Sequence, residues 1–281
     1  MAKLRIMSNN IWNMDDNCEV WRALGEDCSA EVRMKGIARV YGELRPGVVG
    51  LQEASHKMID CLMIELAAVG LRYAVQWTRF TSILYRPDLF ELLDSEYLLY
   101  PVTMEGYEGC FNDGRSKSLN VAVFRCKEDG HVFVLGNTHL WWKSSDPADP
   151  SFQRGSDEAR VLQIGLASGL IAKYQKQYAG PAVFLGDMNC GYRAAPVQLA
   201  LRSGFVHAHD VATEYASEEN GHHYCYPSGH KPYVPQPFVN AIDHILLRDA
   251  PKDAVRRFDR YTPDYYETLS DHYPVYIDAV L

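Results

Sequence analysis

The stretch Pro181-Ala182-Val183-Phe184-Leu185-Gly186-Asp187-Met188-Asn189 decides how the chain is read. A short apolar run halted at a glycine reads as a buried strand that delivers polar side chains at its C-terminal end. Strand alternation sends Asp187 and Asn189 to one side and Met188 to the other. A carboxylate that accepts protons and an uncharged carboxamide that donates hydrogen bonds therefore leave one rigid edge together. Standing alone, Gly-Asp-x-Asn is also ordinary turn chemistry, since Asp and Asn bond their own backbone at strand ends.

Outward from this stretch the same event recurs. Leu4 to Ile11 alternates as a strand and ends at Asn10-Ile11-Trp12-Asn13. Val48 to Glu53 is a second buried strand with a carboxylate at its end, and His131 to Leu140 carries Asn137 and His139. Ala241 to Leu247 brings Asp243 and His244, and Ser270-Asp271-His272 stands at the mouth of a last strand, Tyr273 to Val280. Apolar spacing predicts helices over 31–44, 57–69, 157–174 and 196–203. Residues 73–77 and 82–85 read as paired strands, followed by strands at 89–93, 97–100 and 118–126. Loops are expected over 103–117, which holds Arg115 and Lys117, over 141–155, and over the Tyr-, His- and Pro-rich segment 213–238. Strands come in meanders, with helices between the clusters. That pattern excludes a simple alternating barrel and favours two mostly antiparallel sheets packed face to face with helices outside.

The chain has 281 residues, 47% of them hydrophobic, and no linker or repeat divides it, so a single domain over 1–281 is expected. The first ten residues lack the apolar core of a signal peptide, and no window is long and apolar enough to span a bilayer. Seven cysteines, with no Cys-x-x-Cys among them, suit a reducing cytoplasm better than disulfides or zinc. The net charge of −8, with no run of Lys or Arg, argues against strong duplex DNA binding. A small phosphoester, or a substrate held partly through a metal, fits that charge better.

Each polar strand end has a structural explanation when taken singly: Asn10 and Asn137 as turn formers, His139 and His244 as satisfied core histidines, Asp271 as a cap. Taken together they are expected to converge on one mouth, because they recur at the same end of successive core strands. Glu53 and Asp271 are hard oxygen ligands, suited to magnesium or manganese. Asp243 and His272 border closing strands that the sheet is expected to set side by side, so that Asp243 fixes the ring of His272 and raises its pKa.

In order along the chain, Met7-Ser8-Asn9-Asn10-Ile11-Trp12, Leu51-Gln52-Glu53, Asn137-Thr138-His139-Leu140, Gly186-Asp187-Met188-Asn189, Ile242-Asp243-His244-Ile245 and Ser270-Asp271-His272-Tyr273-Pro274 resemble the motifs of the endonuclease/exonuclease/phosphatase superfamily. The resemblance spans essentially the whole chain. It implies an α+β fold, a four-layer αββα sandwich of the deoxyribonuclease-I type, and metal-dependent hydrolysis of a phosphoester. Carried over by position, Glu53 would bind a catalytic Mg2+ or Mn2+ with Asn10 and Asp271 beside it. Asp187 would orient or deprotonate the attacking water and Asn189 would hold it. His139 would donate to a phosphate oxygen, and His272, oriented by Asp243, would bind the scissile phosphate or share the proton traffic.

Substrate is less specified. The segment Asn137 to Trp142, with Arg160-Val161-Leu162-Gln163 downstream, resembles the deadenylase branch more than the apurinic endonucleases, and the Thr-Trp-Asn start of tyrosyl-DNA phosphodiesterases is absent. Asn137, Arg115 and Trp141 are the candidates for substrate contact. Trp141 follows His139 by two residues, so alternation would keep it on the histidine's side, whereas Trp142 and the aromatic residues around His222, Tyr224 and His230 read as loop packing. The expected substrate is a small phosphoester or a single-stranded nucleic-acid end. The alternatives are a deadenylase-like exoribonuclease, a DNA endonuclease, or a binding protein that has lost catalysis; the presence of every acid and histidine named above argues against the last.

Overall fold

The computed structural model describes residues 4–215 and 237–281; the residues around His222, Tyr224 and His230 lie outside them. The chain opens with β1 (Leu4–Asn10), α1 (Glu19–Ala23), α2 (Ala30–Leu44), β2 (Val48–Gln52) and α3 (His56–Ala68). A meander follows: β3 (Ala74–Gln76), β4 (Ile83–Tyr85), β5 (Phe90–Leu99), β6 (Ser118–Cys126) and β7 (Val132–His139). Next come α4 (Ser156–Tyr178), β8 (Ala182–Asp187), α5 (Ala195–Arg202), β9 (Val206–His207), α6 (Ala208–Val211) and β10 (Glu214–Tyr215). The chain closes with β11 (Asp243–Arg248), β12 (Val255–Arg260) and β13 (Val275–Ala279).

Two mixed sheets result. One has seven strands in the order β10-β12-β13-β1-β2-β4-β3, and the other has six in the order β5-β6-β7-β8-β11-β9. Their apolar inner faces meet in one cluster that includes Ile6, Val48, Phe124, Leu135, Leu185, Ile245 and Ile277. Outside the seven-stranded sheet, α2 and α3 bury Met34, Ile37, Tyr41, Met58 and Leu62 against Met7, Val49 and Leu51. Outside the six-stranded sheet, α4 and α5 bury Ile164, Ile171 and Val197 against Val121, Val134 and Phe184. These layers form the expected αββα sandwich.

Local chemistry explains the element ends. Ser55 caps α3, its hydroxyl accepting from Met58 N–H at 3.1 Å. Helix α2 closes on Arg45, which turns left-handed at φ 51° before Pro46. Two departures from the sequence reading have physical reasons. The expected strands at 89–93 and 97–100 are one strand, β5, whose polar Asp94 and Glu96 accept hydrogen bonds from Tyr178 and Tyr174 of α4, both at 2.9 Å. Its register against β6 shifts between Leu92 and Asp94, a bulge that absorbs the irregular pattern. Strand β12, Val-Arg-Arg-Phe-Asp-Arg, lies in a stretch to which the sequence reading assigns no element. Its Arg257 and Asp259 pair with each other at 3.1 Å, which lets charged side chains stay in the sheet.

Gly186 sits inside β8 at φ 141°, and a Cβ there would lie 1.9 Å from the carbonyl oxygen of Thr138 on the neighbouring strand. Only glycine permits this approach. Gly186→Ala is expected to lower the stability by about 2 kcal/mol or more, since backbone rather than a flexible side chain must move. An unchanged midpoint in chemical denaturation would show that β7 and β8 separate freely.

Candidate active site

Parallel pairing of β1 with β2 and of β7 with β8 puts four strand ends at one mouth. Antiparallel pairing adds the start of β6 beside His139, the start of β11 beside Asp187, and the segment leading into β13 beside the end of β1. The two sheets contribute different chemistry to this mouth.

The seven-stranded sheet supplies Glu53, Asn10 and Asp271. Glu53 lies one residue beyond β2 at φ 60°, a left-handed conformation that is uncommon for a side-chain-bearing residue. Its carboxylate accepts from Asn13 N–H at 2.9 Å and from Asn10 Nδ2 at 3.3 Å. Asn10 is fully buried and also donates to Asp187 Oδ2 at 3.0 Å, while its Oδ1 accepts from Trp12 N–H at 3.0 Å. Its oxygen thereby supports the turn at Trp12, which is itself left-handed at φ 53°. Asn10 thus bridges two carboxylates as a donor; the sequence reading had placed it as a metal ligand.

The six-stranded sheet supplies Asp187, Asn189, His139 and a residue that the sequence reading did not rank, Lys117. Asn189 turns left-handed at φ 51° and donates its N–H to Asp187 Oδ1 at 2.9 Å. Its side chain donates to Leu140 O at 3.0 Å. His139 Nε2 is 2.6 Å from Lys117 Nζ and 3.4 Å from Asp187 Oδ2. Burial, with Lys117 and His272 nearby, holds the His139 pKa well below 6.5. Burial also lowers that of Lys117, against the attraction of Glu53, Asp187 and Asp113. The neutral ring accepts a hydrogen bond from the Lys117 ammonium, so the cation facing the cleft is the lysine. The β6–β7 register brings them together: Lys117 directly precedes Ser118, the partner of His139.

His272 and Asp243 join the halves. Nδ1 of His272 meets Asp243 Oδ2 at 2.9 Å, and Arg260 of the unforeseen β12 approaches the same oxygen at 3.5 Å. The pair was expected side by side in one sheet, but β11 and β13 belong to opposite sheets. Burial alone would lower the ring's pKa; the carboxylates of Asp243, Asp187 and Asp271 and the hydrogen bond to Asp243 carry it well above 6.5. Asp187 is pushed up to about 6 by burial and by Asp243, against His272 and Lys117. Asp271 is pushed up to about 7 by burial and by Glu53 and Asp187, against His272.

Glu53, Lys117, His139, Asp187, Asn189, Asp271 and His272 line a cleft of about 500 Å³ with Asn13, Phe80, Asp113, Ser116, Trp141, Trp142 and Ile242. Glu53, Asp113, Asp187 and Asp271 face it against Lys117 and His272, so the cleft is acidic and a phosphoester would be repelled without an added cation. The crowded carboxylates, all hard oxygen donors, suit a divalent ion. Asp187, Asp243 and His272 have ligand atoms within 4.8 Å of one another. Asp243 and His272 already hydrogen-bond each other, whereas Glu53 and Asp271 line the cleft.

The candidate substrate residues divide. Asn137 is fully buried behind the cleft and donates to the carbonyls of Leu51, Thr81 and Ser82 at 2.8, 2.9 and 3.2 Å, so the structure does not place it at the cleft. Arg115 stays outside the lining, its guanidinium 5.4 Å from the Phe80 ring and 3.7 Å from Asp113. Strand β7 ends at His139, so alternation does not carry to Trp141. Trp141 still lines the cleft, but it is 5% exposed and packs on Phe111 at 6.2 Å between ring centroids. Trp142, read as packing, is 51% exposed on the same wall.

A family model described as "Endonuclease/Exonuclease/phosphatase family" matches residues 12–272. No curated protein matches the sequence. Among solved structures, an endonuclease/exonuclease/phosphatase family protein from Bacteroides thetaiotaomicron is similar with a TM-score of 0.75 and 19% identity, covering 99% of this chain and 94% of that one. A mannosyl-6-phosphatase from the same organism gives 0.72 and 20% identity over 99% and 100% of the two chains. D. rerio TDP2 complexed with single-strand DNA product gives 0.65 and 20% identity over 100% of both. At these identities the likeness is one of fold.

With no metal added, the His272 ring should remain protonated through neutral pH. In Asp243→Asn its titration midpoint, followed by ring proton shifts in NMR, should fall, because the largest charge raising it is gone. An unmoved midpoint would separate the two residues.

Proposed function

The chain belongs to the endonuclease/exonuclease/phosphatase family, and on that premise we propose that it is a divalent-metal-dependent hydrolase of a small phosphoester or a single-stranded nucleic-acid end. One observation carries the reading: Glu53, Asp271, Asp187, His139, Lys117 and His272, drawn from both sheets, face a single cleft of about 500 Å³, with buried Asp243 holding the His272 ring at 2.9 Å. Such a volume suits one small ligand or a strand end. A phosphatase of a sugar phosphate and a protein holding single-stranded DNA product are both among the similar folds, which is consistent with this range.

A divalent ion, seated by Glu53 and Asp271, would polarise the phosphoryl group and offset charge on the leaving oxygen. Asp187 is held by Asn189 N–H and Asn10 Nδ2 in a fixed orientation, and it takes the proton of the attacking water. Its elevated pKa brings its basicity closer to neutral pH than that of an ordinary carboxylate. His272, kept protonated by Asp243, donates from Nε2, which lies 3.8 Å from Asp187 Oδ2. Lys117, anchored on His139, adds a second positive donor toward the phosphoryl oxygens. Trp142 and Phe80, on the cleft wall, offer faces for a base or sugar, worth about 1–3 kcal/mol per stacked base.

Hydrolysis of bis-p-nitrophenyl phosphate in magnesium or manganese, abolished by a chelator, is the first test. Glu53→Gln should keep the fold and lose most activity; full turnover at ordinary magnesium would overturn the metal assignment. Lys117→Met should lower kcat by about a hundredfold, in the range for removing one preorganised donor. Trp142→Ala should raise KM for nucleotide-bearing esters while leaving p-nitrophenyl esters alike, and equal effects on both would remove the stacking role.

A further inference from the structure

At the opposite end of the sandwich, where β1 and β2 begin and β13 ends, lies a second cavity of about 420 Å³. Six residue steps of β1 separate it from the active-site mouth, about 20 Å at strand rise. Among the described residues its wall carries Arg5, Arg45, Arg86, Arg256 and Arg257 with Glu214 and Asp278. Arg5, Arg86, Arg256 and Arg257 each meet a carboxylate, of Asp278, Asp88, Asp253 and Asp259 in turn. Its floor is apolar, formed by Leu4, Leu44, Leu89 and Phe90. A neighbouring cavity of about 480 Å³ shares Arg45 and Arg86 and adds Arg72 and Asp88, the acid that pairs with Arg86.

The arginines are aimed to different degrees. Arg5 is clamped two-armed on Asp278, both contacts at 2.7 Å, and Arg257 is held by Asp259 at 3.1 Å. These two are fixed in place by their partners. Arg256 meets Asp253 at 3.2 Å with both side chains more than half exposed, a pair too weak to hold it against a ligand. Arg45 has no carboxylate partner among the described residues, and it stands in the left-handed turn after α2 on the boundary of both cavities. Two guanidiniums are thus available beside arginines already fixed in ion pairs.

We propose that this cavity is a second ligand site, separate from the catalytic cleft, for a small organic phosphate. Guanidinium forks match phosphate oxygens two at a time, and the leucine and phenylalanine floor receives an uncharged body. A volume of about 420 Å³ suits a small molecule; a nucleic-acid polymer would need an extended track of charge. The other wall residues stay paired when the ligand binds, so the cost of assembling the site is low.

The test uses the full chain carrying Asp187→Asn, which silences turnover, titrated calorimetrically with ADP, with inorganic pyrophosphate and with a single-stranded RNA oligomer. Arg45→Asn with Arg256→Ala removes the two available cations; both positions are exposed, and Asn tolerates the left-handed turn. ADP should bind more tightly than pyrophosphate and lose about tenfold or more in affinity in this double variant, with the thermal midpoint of the free protein unchanged. With Asp187 restored, the double variant should hydrolyse p-nitrophenyl esters at the original rate. ADP affinity untouched by the double variant would assign all binding to the catalytic cleft and overturn the proposal. Equal affinity for pyrophosphate would remove the apolar floor from recognition, and binding of RNA alone would replace the small ligand by a polymer.

Discussion

Among the buried hydrogen bonds that lock the two sheets of this protein together, one carboxamide makes the most. Asn137 donates to carbonyls of Leu51, Thr81 and Ser82 and accepts from Gln52 Nε2 at 2.6 Å, all inside the sandwich. Opposite it, Gly50 leaves no room for a side chain: a Cβ would fall 2.3 Å from Leu185 and 2.8 Å from Asn137. Apolar packing elsewhere in the interface is non-directional and would tolerate sliding. This hydrogen-bonded seam does not, because each buried polar group left unpaired would cost about 1–3 kcal/mol. It therefore fixes the register of one sheet against the other, one strand turn away from the catalytic mouth.

That register matters because neither sheet holds a complete site. Glu53, Asn10 and Asp271 arrive from one, and Asp187, Asn189, His139 and Lys117 from the other. The contacts between halves are short: Asn10 to Asp187 at 3.0 Å and His272 to Asp243 at 2.9 Å. Burying so many titratable groups together is expensive, and the altered pKa values record the tension, with carboxylates pushed up and one imidazole pushed down beside another pushed up. Sites that need groups of matched basicity are where such crowding is found.

The loops that carry these groups are held by a second device, Arg33. It is fully buried, its pKa lowered by burial to about 10, and it donates to the carbonyls of Ile11, Trp12, Met14, Cys28 and Leu269 at 2.6 to 2.9 Å. One guanidinium thereby satisfies the irregular backbone after β1 and the segment just before Asp271 and His272. Ser270 adds a hydroxyl bond to Asn10 O at 2.7 Å. Left-handed turns at Trp12, Glu53 and Asn189 are tolerated in this frame because surrounding hydrogen bonds over-determine them. The buried arginine left a trace in the sequence: it occupies the apolar stripe of α2, four residues before Ile37.

The sandwich architecture and the polar ends of β1, β2, β7, β8 and β11 were legible in the sequence, because strand alternation and stop signals act over a few residues. The family was legible because its short motifs keep their order along the chain. Strand β12 and the continuity of β5 were not, since charged residues there are stabilised by partners on other elements, Tyr276 for Asp259 and Tyr174 and Tyr178 for Glu96 and Asp94. Nor could alternation show that Asn137 faces the seam, that Lys117 leans on His139, or that Asp243 and His272 come from opposite sheets. Periodicity states which side of its own strand a residue takes. Which strand lies across from it, and at what distance, is decided only when two sheets pack, because that depends on the shape of the whole interface.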